Sequence, residues 1–123
     1  RYEAAAYYTA KLRELDTEQK YFITPKELEK STHVYHQYTL KVLNEKRDDL
    51  KAFLAEKGIP SMIYYPLPLQ EQEAFTGITR AAENLDNSKK CAYSVLSLPI
   101  HTEMTKEIQD EVISVIQAFF ING

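Results

Sequence analysis

The chain has 123 residues, 44% of them hydrophobic and 27% charged, with a formal net charge of −3. That length sets one domain, able to bury a core without disulfides or metals. Acidic and basic residues interleave, so neither a nucleic-acid footprint nor an anionic-membrane footprint is present. Cys91 is the only cysteine. It rules out an internal disulfide and favours a reducing, cytoplasmic compartment. No apolar run approaches the ~18 residues of a membrane span.

Residues 1–15 read as a helix. Ala5, Tyr8, Leu12 and Leu15 share one face, and the other alanines add helix propensity. The sequence opens at Arg1 rather than Met, inside that helix and with no capping residue before it, so a natural chain extending upstream is expected. Residues 17–32 read as a polar connection around Thr24-Pro25, with at most one helical turn at Lys26–Glu29. His33 to Val42 alternates as a strand should. Val34, His36, Tyr38, Leu40 and Val42 form the face expected to point at the core. His36 in that face reads either as a core histidine or as a buried histidine near a ligand. His33 and His36 fall on opposite faces, and no cysteine or carboxylate completes a metal site with them.

Asn44 is placed to cap a helix, with Asp48 and Asp49 near its positive end. Leu50, Phe53 and Leu54 form its buried stripe. Gly58 suits the left-handed position just past the helix, and Pro60 stops continuation. Ser61 to Tyr65 reads as a second strand, which makes a β-α-β unit in one sheet. Pro66 and Pro68 then take the chain out of the sheet. The pair Tyr64-Tyr65 at that exit reads equally as a binding edge or as a half-buried core rim.

A short helix is predicted over Gln70–Phe75, a loop over Thr76–Leu85, and a helix from Asp86, Asn87 or Ser88 to about Ser94. Cys91 is expected on its apolar side as an inert core thiol. Val95 to Leu98 is a short strand closed by Pro99. Thr105 caps the last helix, whose stripe is Ile108, Val112, Val115, Ile116 and Phe119. Phe119, Phe120 and Ile121 at its end offer an apolar surface. The fold class is α+β: a small mixed sheet with helices packed mainly on one face.

The residues of a self-contained active site are missing. No G-x-S-x-G, Walker loop or G-x-G-x-x-G occurs. Three glycines in the whole chain exclude a glycine-rich phosphate cradle.

The segments HVYHQYTLKV, RDDLKAFLAEKGIPSMIYYPLPLQEQEAF and VLSLPIHTEMTKEIQDEVISVI, with the entry helix AAYYTAKLREL, run over nearly the whole chain. In order and spacing they resemble the C-terminal domain of the DegT/StrS-type nucleotide-sugar aminotransferases. The resemblance implies the small domain of a fold-type I enzyme that uses pyridoxal phosphate. Such an enzyme moves an amino group, usually from glutamate, to a nucleotide-linked keto-sugar, here nearest to UDP-linked ones. It implies residues 1–123 as one domain of a longer chain, with the cofactor lysine and its glycine-rich segment in an absent large domain. This fragment would then bind no cofactor, supply no catalytic residue and be inactive alone. The full-length protein would be a homodimer with active sites at the subunit interface.

Tyr64, Tyr65 and Gln72 match the loop pattern of the family, and so do His36 and Tyr38. Gln70 stands where the family usually has histidine. A neutral amide still hydrogen-bonds a hydroxyl or carboxylate but does not titrate near neutral pH. Tyr64, Tyr65, Gln70 and Gln72 are therefore the expected substrate-binding residues, and His36 is expected to support the cleft wall. The rival expectation is a stand-alone ferredoxin-like module that binds a small ligand, or regulates, without catalysis.

Overall fold

The computed structural model describes residues 1–78, 80 and 85–121. Helix α1 (Tyr2–Leu15) buries Ala4, Ala5, Tyr8 and Leu12, with Leu15 only partly covered. Asp16 ends it. The Asp16 carboxylate accepts hydrogen bonds from the amides of Lys20, Tyr21 and Phe22 at 2.9, 2.8 and 3.1 Å. That turn aims the chain into strand β1 (Phe22–Ile23), inside the stretch expected to be a polar connection. A strand this short carries no readable alternation. Lys26–Glu29 forms no helical turn.

Strand β2 is Tyr38–Val42, shorter than the predicted strand from His33. The backbone breaks at Tyr35, where φ is +45° and the amide donates to Nδ1 of His33 at 3.0 Å. The break shifts the alternation. Tyr35 is buried, while Val34 is 78% exposed and His36 lies at the surface. A one-residue slip turns every side chain to the other face, and that is what happens upstream of Tyr38. From Tyr38 on, the predicted face holds, with Tyr38, Leu40 and Val42 buried.

Helix α2 (Arg47–Glu56) does not use Asn44 as its cap. Asn44 and Glu45 both have positive φ, and the Asn44 side-chain amide donates to the Lys20 carbonyl at 3.0 Å, holding the turn against the chain just before β1. Leu50 and Leu54 are fully buried, each contributing up to about 1.5–3 kcal/mol. Phe53 is half-buried against Phe119. The helix ends in a Schellman motif. Ile59 N–H donates to Leu54 at 2.9 Å and Gly58 N–H to Ala55 at 3.0 Å, with φ of +75° at Gly58, as its placement predicted.

Ser61 to Tyr65 does not form the predicted strand. Only Met62 pairs, in a single antiparallel bridge with Ser97. Pro60 and Pro66 bracket this stretch, and a proline has no amide to give a ladder. Helix α3 (Asp86–Ser94) leads directly into β3 (Val95–Leu98). The sheet order is β1-β2-β3, and both strand pairings are antiparallel, so the sheet is not mixed. Tyr38 faces Leu98 and Leu40 faces Leu96 across β2 and β3. Because Met62 lies beyond β3, α2 carries the chain over β3 to its far side, a β-α-β crossing with a strand between.

Helix α4 (Lys106–Phe120) is capped by the Thr105 hydroxyl, which accepts from Ile108 N–H at 3.3 Å. Val112 and Ile116 are buried, but Ile108 is 41% exposed and Gln109 is buried in its place. The Gln109 side-chain amide donates to the Ala4 carbonyl at 2.7 Å, and the small Ala4 leaves room for it. The core joins Tyr8 and Leu12 of α1, Phe22, Tyr38, Leu40, Leu50, Leu54, Leu96, Leu98, Val112 and Ile116. It fills one face of the sheet. The other face carries the hydroxyls of Thr39 and Ser97, 2.8 Å apart. The α+β class and the one-sided helix packing are as predicted. Among the described residues no helix is long and apolar enough to cross a membrane.

Candidate functional site

The segment after Met62 leaves the sheet edge and carries two adjacent exposed tyrosines. Tyr64 is 38% exposed and Tyr65 72%. Their rings meet edge to face, with centroids 5.8 Å apart. Pro68 is buried and anchors the loop. Two short 3-10 turns, Leu69–Glu71 and Glu73–Phe75, then close on local bonds from Glu71 N–H to Pro68 (2.9 Å) and from Phe75 N–H to Gln72 (3.0 Å). The predicted helix over Gln70–Phe75 is these two turns. Of the predicted loop over Thr76–Leu85, residues 76–78 form a turn with φ of +80° at Gly77, and residues 79 and 81–84 lie outside the described residues.

Helix α3 forms the facing wall. Lys89 on α3 pairs with Glu71 on the loop at 3.2 Å. Arg47, buried at the start of α2, fixes the other end of α3. Its Nη1 donates to the carbonyls of Ala92 and Val95 at 2.8 and 3.2 Å, and its Nε to Asp48 at 2.6 Å. A cation at a helix C-terminus also meets the negative end of the helix dipole.

Two concavities flank Tyr64. One, of about 270 Å³, is lined by Tyr64, Tyr65, Gln72, Ser88, Cys91 and neighbouring apolar residues. The other, of about 200 Å³, lies against the open sheet face and is lined by His36, Gln37, Ser61, Tyr64, Ser97 and others. The structure therefore brings Tyr64, Tyr65 and Gln72 together. Gln70 does not join them. It is half-buried in the loop, and its side-chain Nε2 is buried with no hydrogen-bond partner among the described residues.

Sequence reasoning missed Ser88 and Cys91 as cavity residues. Cys91 is exposed, not an inert core thiol, because α3 packs through Ala92 one position on. It missed His36 as a surface group for the reason seen at Tyr35. No sequence signal marks Arg47, whose role depends on where α3 ends.

Among the described residues four phenols are perturbed: Tyr7, raised first by the hydrogen bond its hydroxyl donates to Asp110 at 2.7 Å, and three that belong to the core. Burial pushes Tyr38 up to about 12, against a hydrogen bond with the Thr9 hydroxyl that acts the other way. Burial also pushes Tyr35 up to about 12, helped by the hydrogen bond that its hydroxyl donates to Glu27 at 2.8 Å. Tyr8 is raised further by burial, and its hydroxyl donates to the Pro99 carbonyl at 3.0 Å. None of the three lines either concavity beside Tyr64. That site offers aromatic faces, amides and hydroxyls for binding and orientation.

Among the described residues no group of three or more His, Cys, Asp and Glu is placed to hold a metal. Among the described residues no lysine lines either concavity. Gly58 and Gly77 sit in turns with open space around them, not in a cradle. These residues do not fit pyridoxal phosphate by themselves, since among the described residues none lining either concavity offers an amine to its aldehyde, and Lys89 is paired with Glu71, while no nest of amides is open to its phosphate. A larger groove of about 770 Å³ lies away from the loop, at Tyr21, Phe53, Phe119 and Phe120. Its aromatic rings mainly pack on one another, with Tyr21 stacked on Phe120 at 5.0 Å.

Comparison with known proteins places the chain in a family. The model of the DegT/DnrJ/EryC1/StrS aminotransferase family matches residues 1–117. A pleiotropic regulatory protein of Geobacillus stearothermophilus is 41% identical over 94% of this chain and 30% of its own length. A UDP-N-acetyl-3-dehydro-alpha-D-glucosamine 3-aminotransferase of Acidithiobacillus ferrooxidans is 35% identical over 69% of this chain and 22% of its own length. The solved structure of NtdA from Bacillus subtilis, with bound cofactor PMP, superposes with a TM-score of 0.77 at 28% identity, covering 94% of this chain and 26% of that one. The chain thus spans less than a third of the length of each of these relatives.

Proposed function

This chain belongs to the DegT/DnrJ/EryC1/StrS aminotransferase family, and we propose that it is the C-terminal domain of a longer enzyme that aminates a nucleotide-linked keto-sugar. The amino donor in this reading is an amino acid, with glutamate first. The observation that carries it is the pairing of the family match with a loop in which Tyr64, Tyr65 and Gln72 line one concavity. Pyridoxal phosphate, held by the rest of the polypeptide, supplies the electron sink for the amino transfer.

The residues of this chain bind and orient. Tyr64 and Tyr65 offer ring faces to a base or to the apolar face of a sugar, and Gln72 offers a donor and an acceptor to hydroxyls or a base edge. Gln70 Nε2, buried with no partner among the described residues, supports a contact with an acceptor of the substrate or of another part of the polypeptide, because a buried unpaired donor costs about 1–3 kcal/mol. Full-length homodimers are part of this reading. A second reading, a regulatory module without catalysis, draws on the name of the Geobacillus relative.

One experiment separates them. The natural gene product is purified, its absorbance is scanned for bound pyridoxal phosphate, and glutamate-dependent amination of a UDP-linked 3-keto-sugar is followed by mass spectrometry. We expect cofactor and product with the full-length protein and neither with residues 1–123 alone. A gene product that binds no cofactor and forms no amino-sugar overturns the enzyme reading.

A further inference from the structure

The concavity on the open sheet face has no assigned role. It shares Tyr64 as a wall with the loop concavity. At about 200 and 270 Å³, each is smaller than the ~300–1,000 Å³ usual for a small-molecule site. Together they fall inside that range. The size argues for one ligand lying across Tyr64, with a different part of it on each side.

Both sides are mainly apolar, and they differ in the polar groups they offer: Gln72 and Ser88 on the loop side, a histidine, an amide and two hydroxyls on the sheet side. The loop side is largely apolar and aromatic, with Tyr65, Leu67, Leu69, Ala92 and Val95. The sheet side sets His36, Gln37, Ser61 and Ser97 among Pro60, Met62, Leu98, Pro99 and Ile100, and among the described residues no carboxylate lines it. His36 is also tied to a cation. Nη1 of Arg1 lies 3.3 Å from Nδ1 of His36 and 3.3 Å from its carbonyl oxygen. A guanidinium only donates, so Nδ1 is the acceptor. The proton of the neutral imidazole then sits on Nε2, which has no other partner among the described residues. The ring presents a donor backed by a fixed positive charge, a setting that favours an anion.

We propose that His36, oriented by Arg1, is a binding residue for the diphosphate of the nucleotide-linked substrate, and that the base or sugar portion lies on the loop side of Tyr64. The inference rests on the nucleotide-sugar reading above and adds His36 and Arg1 to its site.

The test uses the full-length polypeptide and two probes, UDP and uridine, with affinities from calorimetry. His36→Glu should weaken UDP by about tenfold or more, the worth of one hydrogen bond to a charged group, and should leave uridine within about threefold. His36→Gln keeps a neutral donor and should recover most of the UDP affinity. Arg1→Ala should give a smaller loss, again confined to UDP. Gln117→Glu adds the same charge on α4 and controls for bulk electrostatics. Equal losses for UDP and uridine, or unchanged UDP binding in His36→Glu, overturn the diphosphate subsite. If the wild type aminates the keto-sugar in that case, the functional reading stands without it. If the wild type neither aminates the sugar nor binds UDP, both fall.

Discussion

The half of the domain built on β2 and the half built on the loop after Met62 are held by different forces. Around β2, Tyr8, Tyr38, Leu40, Leu50, Leu54 and Ile116 have no exposed surface. The loop has Leu67 at 42% and Leu69 at 65% exposure, and it stands on bonds between near neighbours plus the Lys89–Glu71 pair. An exposed ion pair of that kind contributes about 0–1 kcal/mol. The contrast teaches where each set of side chains acts. Apolar area near β2 goes into stability, while the aromatic area of the loop stays exposed, as the proposed binding role requires.

The sharpest way to break this comparison is to damage each half and read both. Leu54→Ala should cost about 2–5 kcal/mol in chemical denaturation, the penalty for emptying a filled core site. Arg47→Ala, at the seam, should cost about 1.5–3 kcal/mol because two carbonyls lose a charged donor. It should also speed amide hydrogen exchange in α3 more than in α1. Tyr65→Ala should change stability by no more than about 0.5 kcal/mol, the range of an exposed substitution. In the full-length protein it should still weaken nucleotide binding.

Alkaline titration sharpens the same contrast. Tyr38 and Tyr35 have folded values near 12, above the ordinary value of 10.0, so their neutral forms are favoured by folding. Their contribution is fully present below pH 10 and is lost as pH rises from 10 through about 12. Stability measured across that window should fall, and Tyr38→Phe should flatten the slope. A slope that Tyr38→Phe leaves unchanged would remove Tyr38 from the account.

The sequence made the core legible where periodicity ran long. The stripe of α1, the Thr105 cap of α4, β3 and the Gly58 turn all followed from spacing and capping rules. It hid what depends on a single backbone angle or on a distant partner. The positive φ at Tyr35 turned His36 outward, and nothing in an alternating run announces such a break. Phe22–Ile23 became a strand because Asp16 gathers three amides upstream. In the candidate site, the proline-bracketed loop left the tyrosine pair open between a binding edge and a core rim, and Gln72 came only with the family resemblance. The exposure of Cys91 was not readable, because it depends on the packing of Ala92.

The most direct test of the central claim, that this domain binds and orients substrate while the chemistry lies elsewhere, is the steady-state kinetics of Tyr64→Ala in the full-length polypeptide. We expect KM for the UDP-linked keto-sugar to rise by about tenfold, with kcat and bound pyridoxal phosphate close to wild type. An unchanged KM, or a loss of cofactor with KM intact, would contradict it.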